Sequence, residues 1–192
     1  MRIKCCGITR PEDARYAESC GAHAIGVVVF SGGVSRRMVS PDRAREIFDA
    51  VGPFTATVAV SHTKSEEDLW EMLTLKPSAI QISHPFVFDE DPGVVIIRVI
   101  GLGDPLPDDC DAVIVDDSHG RGKLFDLSYA RDVVRHAKIP VILAGGLTPE
   151  NVADAISQVH PYAVDVASGI ESSPGIKDYK KIAAFIAAAR SG

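Results

Sequence analysis

Eight apolar, strand-like runs recur along this chain with helix-like segments between most of them, and that alternation leaves few folds open. Residues 2–6, 23–30, 54–60, 79–83, 94–99, 111–116, 140–144 and 162–167 read as strands. Residues 11–20, 40–50, 65–75, 127–136, 149–159 and 179–189 read as helices, several of them opening on Ser or Pro. Eight such units suit an α/β fold closed as a (β/α)8 TIM barrel better than an open doubly wound sheet. Two connections depart from the pattern. Residues 84–93 are short and bounded by prolines, and 101–109 read as loop, so helices 4 and 5 are expected to be shortened or replaced by loops. That saving lets a barrel fit in 192 residues, where about 250 is usual. Strands four and five must then be covered by plugs from Phe86, Val87, Phe88 and Leu106, or by another subunit.

No linker, low-complexity tract or short repeat divides the chain, so residues 1–192 are expected to form one domain. Hydrophobic residues at 46% and charged residues at 24% describe a globular protein. A formal charge of −6 argues against a nucleic-acid partner, which needs a basic face. No apolar run reaches the roughly 18 residues of a membrane span. Met1-Arg-Ile-Lys4 enters a strand directly, without a signal-peptide pattern. Four cysteines without a Cys-x-x-Cys, and six scattered histidines, point to free thiols, no metal site and a cytoplasmic protein.

Two late segments, Val141-Ile-Leu-Ala-Gly-Gly-Leu147 and Ala163-Val-Asp-Val-Ala-Ser-Gly169, each end an apolar run in small residues ahead of a helix signal. Bare backbone N–H groups and helix N-termini attract anions, and a barrel places its phosphate site after its last two strands. One such loop is an ordinary turn. The pair points to a phosphate cradle at Gly145, Gly146, Ser168 and Gly169, and so to a small phosphorylated ligand. Neither loop holds a basic residue, so backbone donors are expected to dominate.

Period-two alternation puts Lys4 and Cys6 on one face of strand one, and Ile3 and Cys5 on the other. In strand six it groups Ala112, Ile114 and Asp116 against Val113 and Val115. Cys6 and Asp116 therefore face the barrel mouth, where a thiol and a carboxyl can serve as base and acid. A cysteine is otherwise a small buried hydrophobe, and Asp117 stands beside Asp116 as a second candidate. Lys4, about 6.6 Å before Cys6 on the same face, is expected to favour the thiolate.

Several motifs, in order along the whole chain, resemble those of the phosphoribosylanthranilate isomerase family. They are Lys4-Cys-Cys-Gly-Ile-Thr9, Val34-Ser-Arg-Arg-Met-Val-Ser40, Val113-Ile-Val-Asp116, Gly122-Lys-Leu-Phe-Asp126, Leu143-Ala-Gly-Gly-Leu-Thr-Pro-Glu-Asn151 and the stretch Tyr162 to Gly175. The resemblance implies an Amadori rearrangement in tryptophan biosynthesis without a cofactor. N-(5-phosphoribosyl)anthranilate becomes 1-(2-carboxyphenylamino)-1-deoxyribulose 5-phosphate. It also implies Cys6 as general base, Asp116 as general acid and Arg37 as anchor of the anthranilate carboxylate. Gln81 and Asp165 join the substrate-binding set, and the glycine loops hold the phosphate. Such an enzyme would act as a monomer or homodimer.

The chain departs from the family pattern at the mouth. Gln-Leu-His-Gly reads Gln81-Ile-Ser-His84, Val-Phe-Val-Asn reads Val58-Ala-Val-Ser61, Phe-Asp-Trp reads Phe125-Asp-Leu127, and Met38 replaces an aromatic. A one-residue shift reverses a strand face, so His84 is expected to be an exposed loop residue. Two other readings stand beside this one: a related phosphosugar-processing barrel, such as an epimerase or thiamine-phosphate synthase, and a catalytically silent phosphosugar-binding barrel.

Overall fold

A computed structural model describes residues 1–32, 35–116 and 127–192. Val34, Asp117 and the motif at 122–126, with Phe125 and Asp126, lie outside them. Eight parallel strands close into a barrel in chain order: β1 (Arg2–Cys5), β2 (Ala24–Val28), β3 (Ala56–Ser61), β4 (Ala79–Ile82), β5 (Val95–Ile100), β6 (Ala112–Val115), β7 (Val141–Leu143) and β8 (Ala163–Val166). β1 pairs with β8 in a register that sets Lys4 against Asp165 and Cys5 against Val166, and this closes the ring. All eight strands therefore form where alternation placed them, one or two residues shorter at some ends. At β2 the strand stops before Phe30, whose φ of 50° breaks extended backbone.

Among the described residues, six α-helices surround the barrel: α1 (Pro11–Cys20), α2 (Pro41–Phe48), α3 (Glu66–Thr74), α4 (Leu127–His136), α5 (Val152–Val159) and α6 (Tyr179–Ser191). Ser40, Ser65 and Asp178 cap α2, α3 and α6 by accepting from backbone N–H groups two or three residues on. α5 starts three residues later than its Pro149 suggests. Asn151 Oδ1 accepts from Thr148 N–H at 2.8 Å, and Glu150 N–H donates to Thr148 Oγ1, which holds 148–151 as a turn. A strand pair, β9 (Glu171–Ser173) and β10 (Ile176–Lys177), precedes α6.

The two faces of the barrel wall separate as the alternation requires. Cys6, Val58, Val60, Ala112, Ile114 and Ile142 pack together inside. Ile3, Cys5, Val113, Val115 and Leu143 pack outward against the helices.

Neither β4–β5 nor β5–β6 is joined by a helix. Phe86 covers this flank as a plug, only 5% exposed, with Phe88 half-buried against it. Val87, at 87% exposed, and Leu106 do not plug. Arg98 points outward from β5 and ties the loops down. Its Nη1 donates to the carbonyl of His84 at 2.7 Å, and its Nη2 donates to the carbonyl of Phe86 and to Asp109. His84 is therefore not an exposed loop residue. It is half-buried, with its ring edge-on to Phe86 at 4.7 Å, because Arg98 holds its backbone.

Candidate active site

Cys6 follows β1 at the mouth, and its backbone N–H still donates to Val166 at 2.8 Å. The residue is 6% exposed, and its thiol packs so closely on β2 that a Cβ at Gly26 would meet Sγ at 2.8 Å. Only glycine leaves the sulfur this position. Burial pushes the thiol above its ordinary range, while the Lys4 and Lys177 charges pull it down. Lys4 thus acts in the expected direction, but desolvation outweighs it. Cys5, facing the helices, is pushed up to about 12, chiefly by burial.

Lys4 is buried inside the barrel, where its Nζ donates to Gln81 Oε1 and Asp165 Oδ1, each at 2.8 Å. Burial opposes the ammonium, but Asp165 and Cys6 together hold it protonated above the usual lysine range. Gln81 and Asp165, expected to bind substrate, both spend an oxygen on Lys4. Asp116 directly follows β6, half-buried, and its N–H donates to the Ile100 carbonyl at 3.0 Å. It lies near enough to Asp165 for their charges to interact.

The glycine loops meet as expected. Gly145 and Gly146 have φ of 89° and 64°; Gly146, Ser168 and Gly169 line a cavity of about 300 Å³ with Thr148, Pro149, Glu150 and Lys181, whereas Gly145 lines a neighbouring cavity with Asn151 and Ala155. A Cβ at Gly169 would stand 2.0 Å from the Leu147 carbonyl, so the two loops approach only through glycine. Lys181 is an addition from α6: alternation placed it on the far helix, not in either loop.

Arg37 does not stand alone. Its Nε and Nη2 donate to the two carboxylate oxygens of Glu171 at 2.9 and 2.7 Å. Lys177 Nζ donates to Glu171 Oε1 at 3.0 Å and to the Ala167 carbonyl at 3.1 Å. The Arg37 contact and the Lys177 charge outweigh burial and hold Glu171 below the usual carboxylate range. Motif reading passed over Glu171 and Lys177. The signal was there: Ser172-Ser-Pro-Gly175 is a turn sequence that folds residues six apart onto one another. At strand four, where the family pattern has histidine, Ser83 Oγ lies 3.1 Å from Nδ1 of His62, which follows β3. Among the described residues, no group of three or more His, Cys, Asp or Glu could hold a metal ion.

The profile of the family described as N-(5'-phosphoribosyl)anthranilate (PRA) isomerase matches residues 105–188. An N-(5'-phosphoribosyl)anthranilate isomerase of Methanoregula boonei is 62% identical over 190 residues, covering 99% of this chain and 97% of that one. The crystal structure of the phosphoribosyl anthranilate isomerase of Thermus thermophilus superposes with a TM-score of 0.85 at 33% identity, over 100% and 99% of the two chains. A phosphoribosyl anthranilate isomerase crystallised with reduced 1-(o-carboxyphenylamino)-1-deoxyribulose 5-phosphate gives 0.82 at 29% identity, over the whole of both chains.

Proposed function

The chain belongs to the phosphoribosylanthranilate isomerase family, and from that membership we propose which of its residues perform the reaction. The enzyme isomerises N-(5-phosphoribosyl)anthranilate to 1-(2-carboxyphenylamino)-1-deoxyribulose 5-phosphate in tryptophan biosynthesis. Asp116 donates a proton to the furanose ring oxygen, the C1–O bond opens, and a protonated Schiff base forms at the anthranilate nitrogen. Cys6 then takes the proton from C2, and the resulting aminoenol tautomerises to the ketone. Arg37 anchors the anthranilate carboxylate. The backbone of Gly145, Gly146, Ser168 and Gly169 holds the phosphate, with Lys181 at the cavity edge. Lys4 supports the thiolate, while Gln81 and Asp165 act on substrate by holding Lys4 in place.

The observation that carries this reading is the division of adjacent cysteines: Cys6 lines the interior with Lys4, and Cys5 sits in the outer core. Turnover is followed by the loss of substrate fluorescence in wild type, Cys6→Ala, Asp116→Asn and Cys5→Ala. Normal turnover in Cys6→Ala would remove the assignment. We read residues 1–192 as one domain, acting in the cytoplasm on a small phosphosugar, as a monomer or homodimer; mass in solution decides between the two. No helix among the described residues is long and apolar enough to cross a membrane.

A further inference from the structure

Glu171 and Lys177 have no step in the reaction above, yet both are buried ionic side chains. Burying such a pair costs desolvation that apolar residues of similar volume would avoid. What they hold is Arg37. Glu171 takes one side of the guanidinium with both oxygens, and Lys177 and the Gly175 N–H fasten Oε1 from behind. Of five N–H donors on a guanidinium, this contact uses two and leaves both on Nη1 and one on Nη2. Those remaining donors include a second edge that a carboxylate can meet with two parallel bonds. The stem is fixed as well: Arg37 Cδ lies 2.7 Å from where a Cβ of Gly7, next to Cys6, would stand. The same hairpin reaches the phosphate loop, through Lys177 on the Ala167 carbonyl and Lys181 Nζ on the Glu171 carbonyl at 2.7 Å.

We propose that Glu171 is a positioning residue for substrate recognition, presenting the second edge of Arg37 to the substrate carboxylate at a set distance from the phosphate loop, with Lys177 locking Glu171 in place. Ordering Arg37 during folding removes that entropy loss from the binding step. Because two cations share one carboxylate, Glu171 orients Arg37 without cancelling its attraction for an anion. The proposal rests on the reading of Arg37 as the carboxylate anchor.

The test uses two ligands on the full chain: reduced 1-(o-carboxyphenylamino)-1-deoxyribulose 5-phosphate, with carboxylate and phosphate, and ribose 5-phosphate, with phosphate alone. Affinities are measured by calorimetry for wild type, Glu171→Gln, Arg37→Ala and the double variant. Glu171→Gln is expected to weaken the first ligand about tenfold, leave the second within about twofold, and add nothing in the Arg37→Ala background. KM should rise with it while kcat stays within about threefold. Glu171→Asp, one methylene shorter with the same charge, should show the same split more weakly and serves if the glutamine variant does not fold. Equal losses for both ligands, or additive effects with Arg37→Ala, would overturn the proposal. If Arg37→Ala weakens the first ligand and neither Glu171 variant does, the positioning role alone falls. If Arg37→Ala leaves that affinity unchanged, the anchor reading falls and takes the positioning role with it.

Discussion

The flank of the barrel formed by β8 and β1 keeps its buried ions inside the barrel and in the hairpin that follows β8; the connection from β4 to β5 has no helix, and the buried ion there lies outside the wall. On the first, Lys4 projects inward to Asp165 and Gln81, and Lys177 and Arg37 converge on Glu171. On the second, Arg98 projects outward and binds two backbone carbonyls and Asp109. A guanidinium there does what a helix does elsewhere, giving the loops partners and holding Phe86 against the strands. The side of the wall separates the two strand cations: Lys4 finds its partners among interior side chains, and Arg98 finds its partners in the covering loops.

The largest effect expected of that division is in turnover. Cys6→Ala and Asp116→Asn should each lower kcat by about 10²- to 10⁴-fold with the fold intact, the usual share of one general acid or base. Cys5→Ala should lower stability and leave turnover normal; the reverse outcome would break the comparison at its root. On the other flank, Phe86→Ala should cost about 3–5 kcal/mol in denaturant melts, the usual range for a buried Phe, with kcat unchanged. A fall in kcat at normal stability would show that this flank reaches the chemistry.

Smaller effects sharpen the picture. Gly169→Ala drives a Cβ into the Leu147 carbonyl and should part the loops, weakening product affinity about tenfold, the size of a 1.4 kcal/mol overpacking cost. Cys6 is held above the ordinary thiol range, so the rate of its alkylation by iodoacetamide should climb with pH past neutrality. Lys4→Met removes a charge that lowers the Cys6 pKa, and the rising limb should move to higher pH; an unmoved limb would detach Lys4 from the thiol. Smallest is an acid effect on stability. Glu171 is depressed in the folded state, so its contribution is present above the unfolded glutamate pKa near 4.5 and is lost as pH falls through the lower folded value. Glu171→Gln should flatten that part of the acid stability curve.

Much of this was legible from one dimension. The eight strands, the inward Cys6, the outward Cys5 and the paired glycine loops follow from period-two alternation and from glycine at strand ends. His84 was misread because the face rule describes strands, and its partner Arg98 lies across the next loop. Val87 and Leu106 failed as plugs because loop residues have no period to say which of several apolar side chains turns inward.

What the sequence by itself determined is the fold and the face of the wall on which each strand residue sits, since both are set by backbone geometry within a few residues. Only the tertiary structure decided which charges pair. Arg37 and Glu171 are 134 residues apart, and Lys4 and Asp165 are 161 apart; the second pair meets because β1 closes on β8. Side-chain reach and desolvation then select partners among all the charges that closure brings together, and no local pattern carries that information.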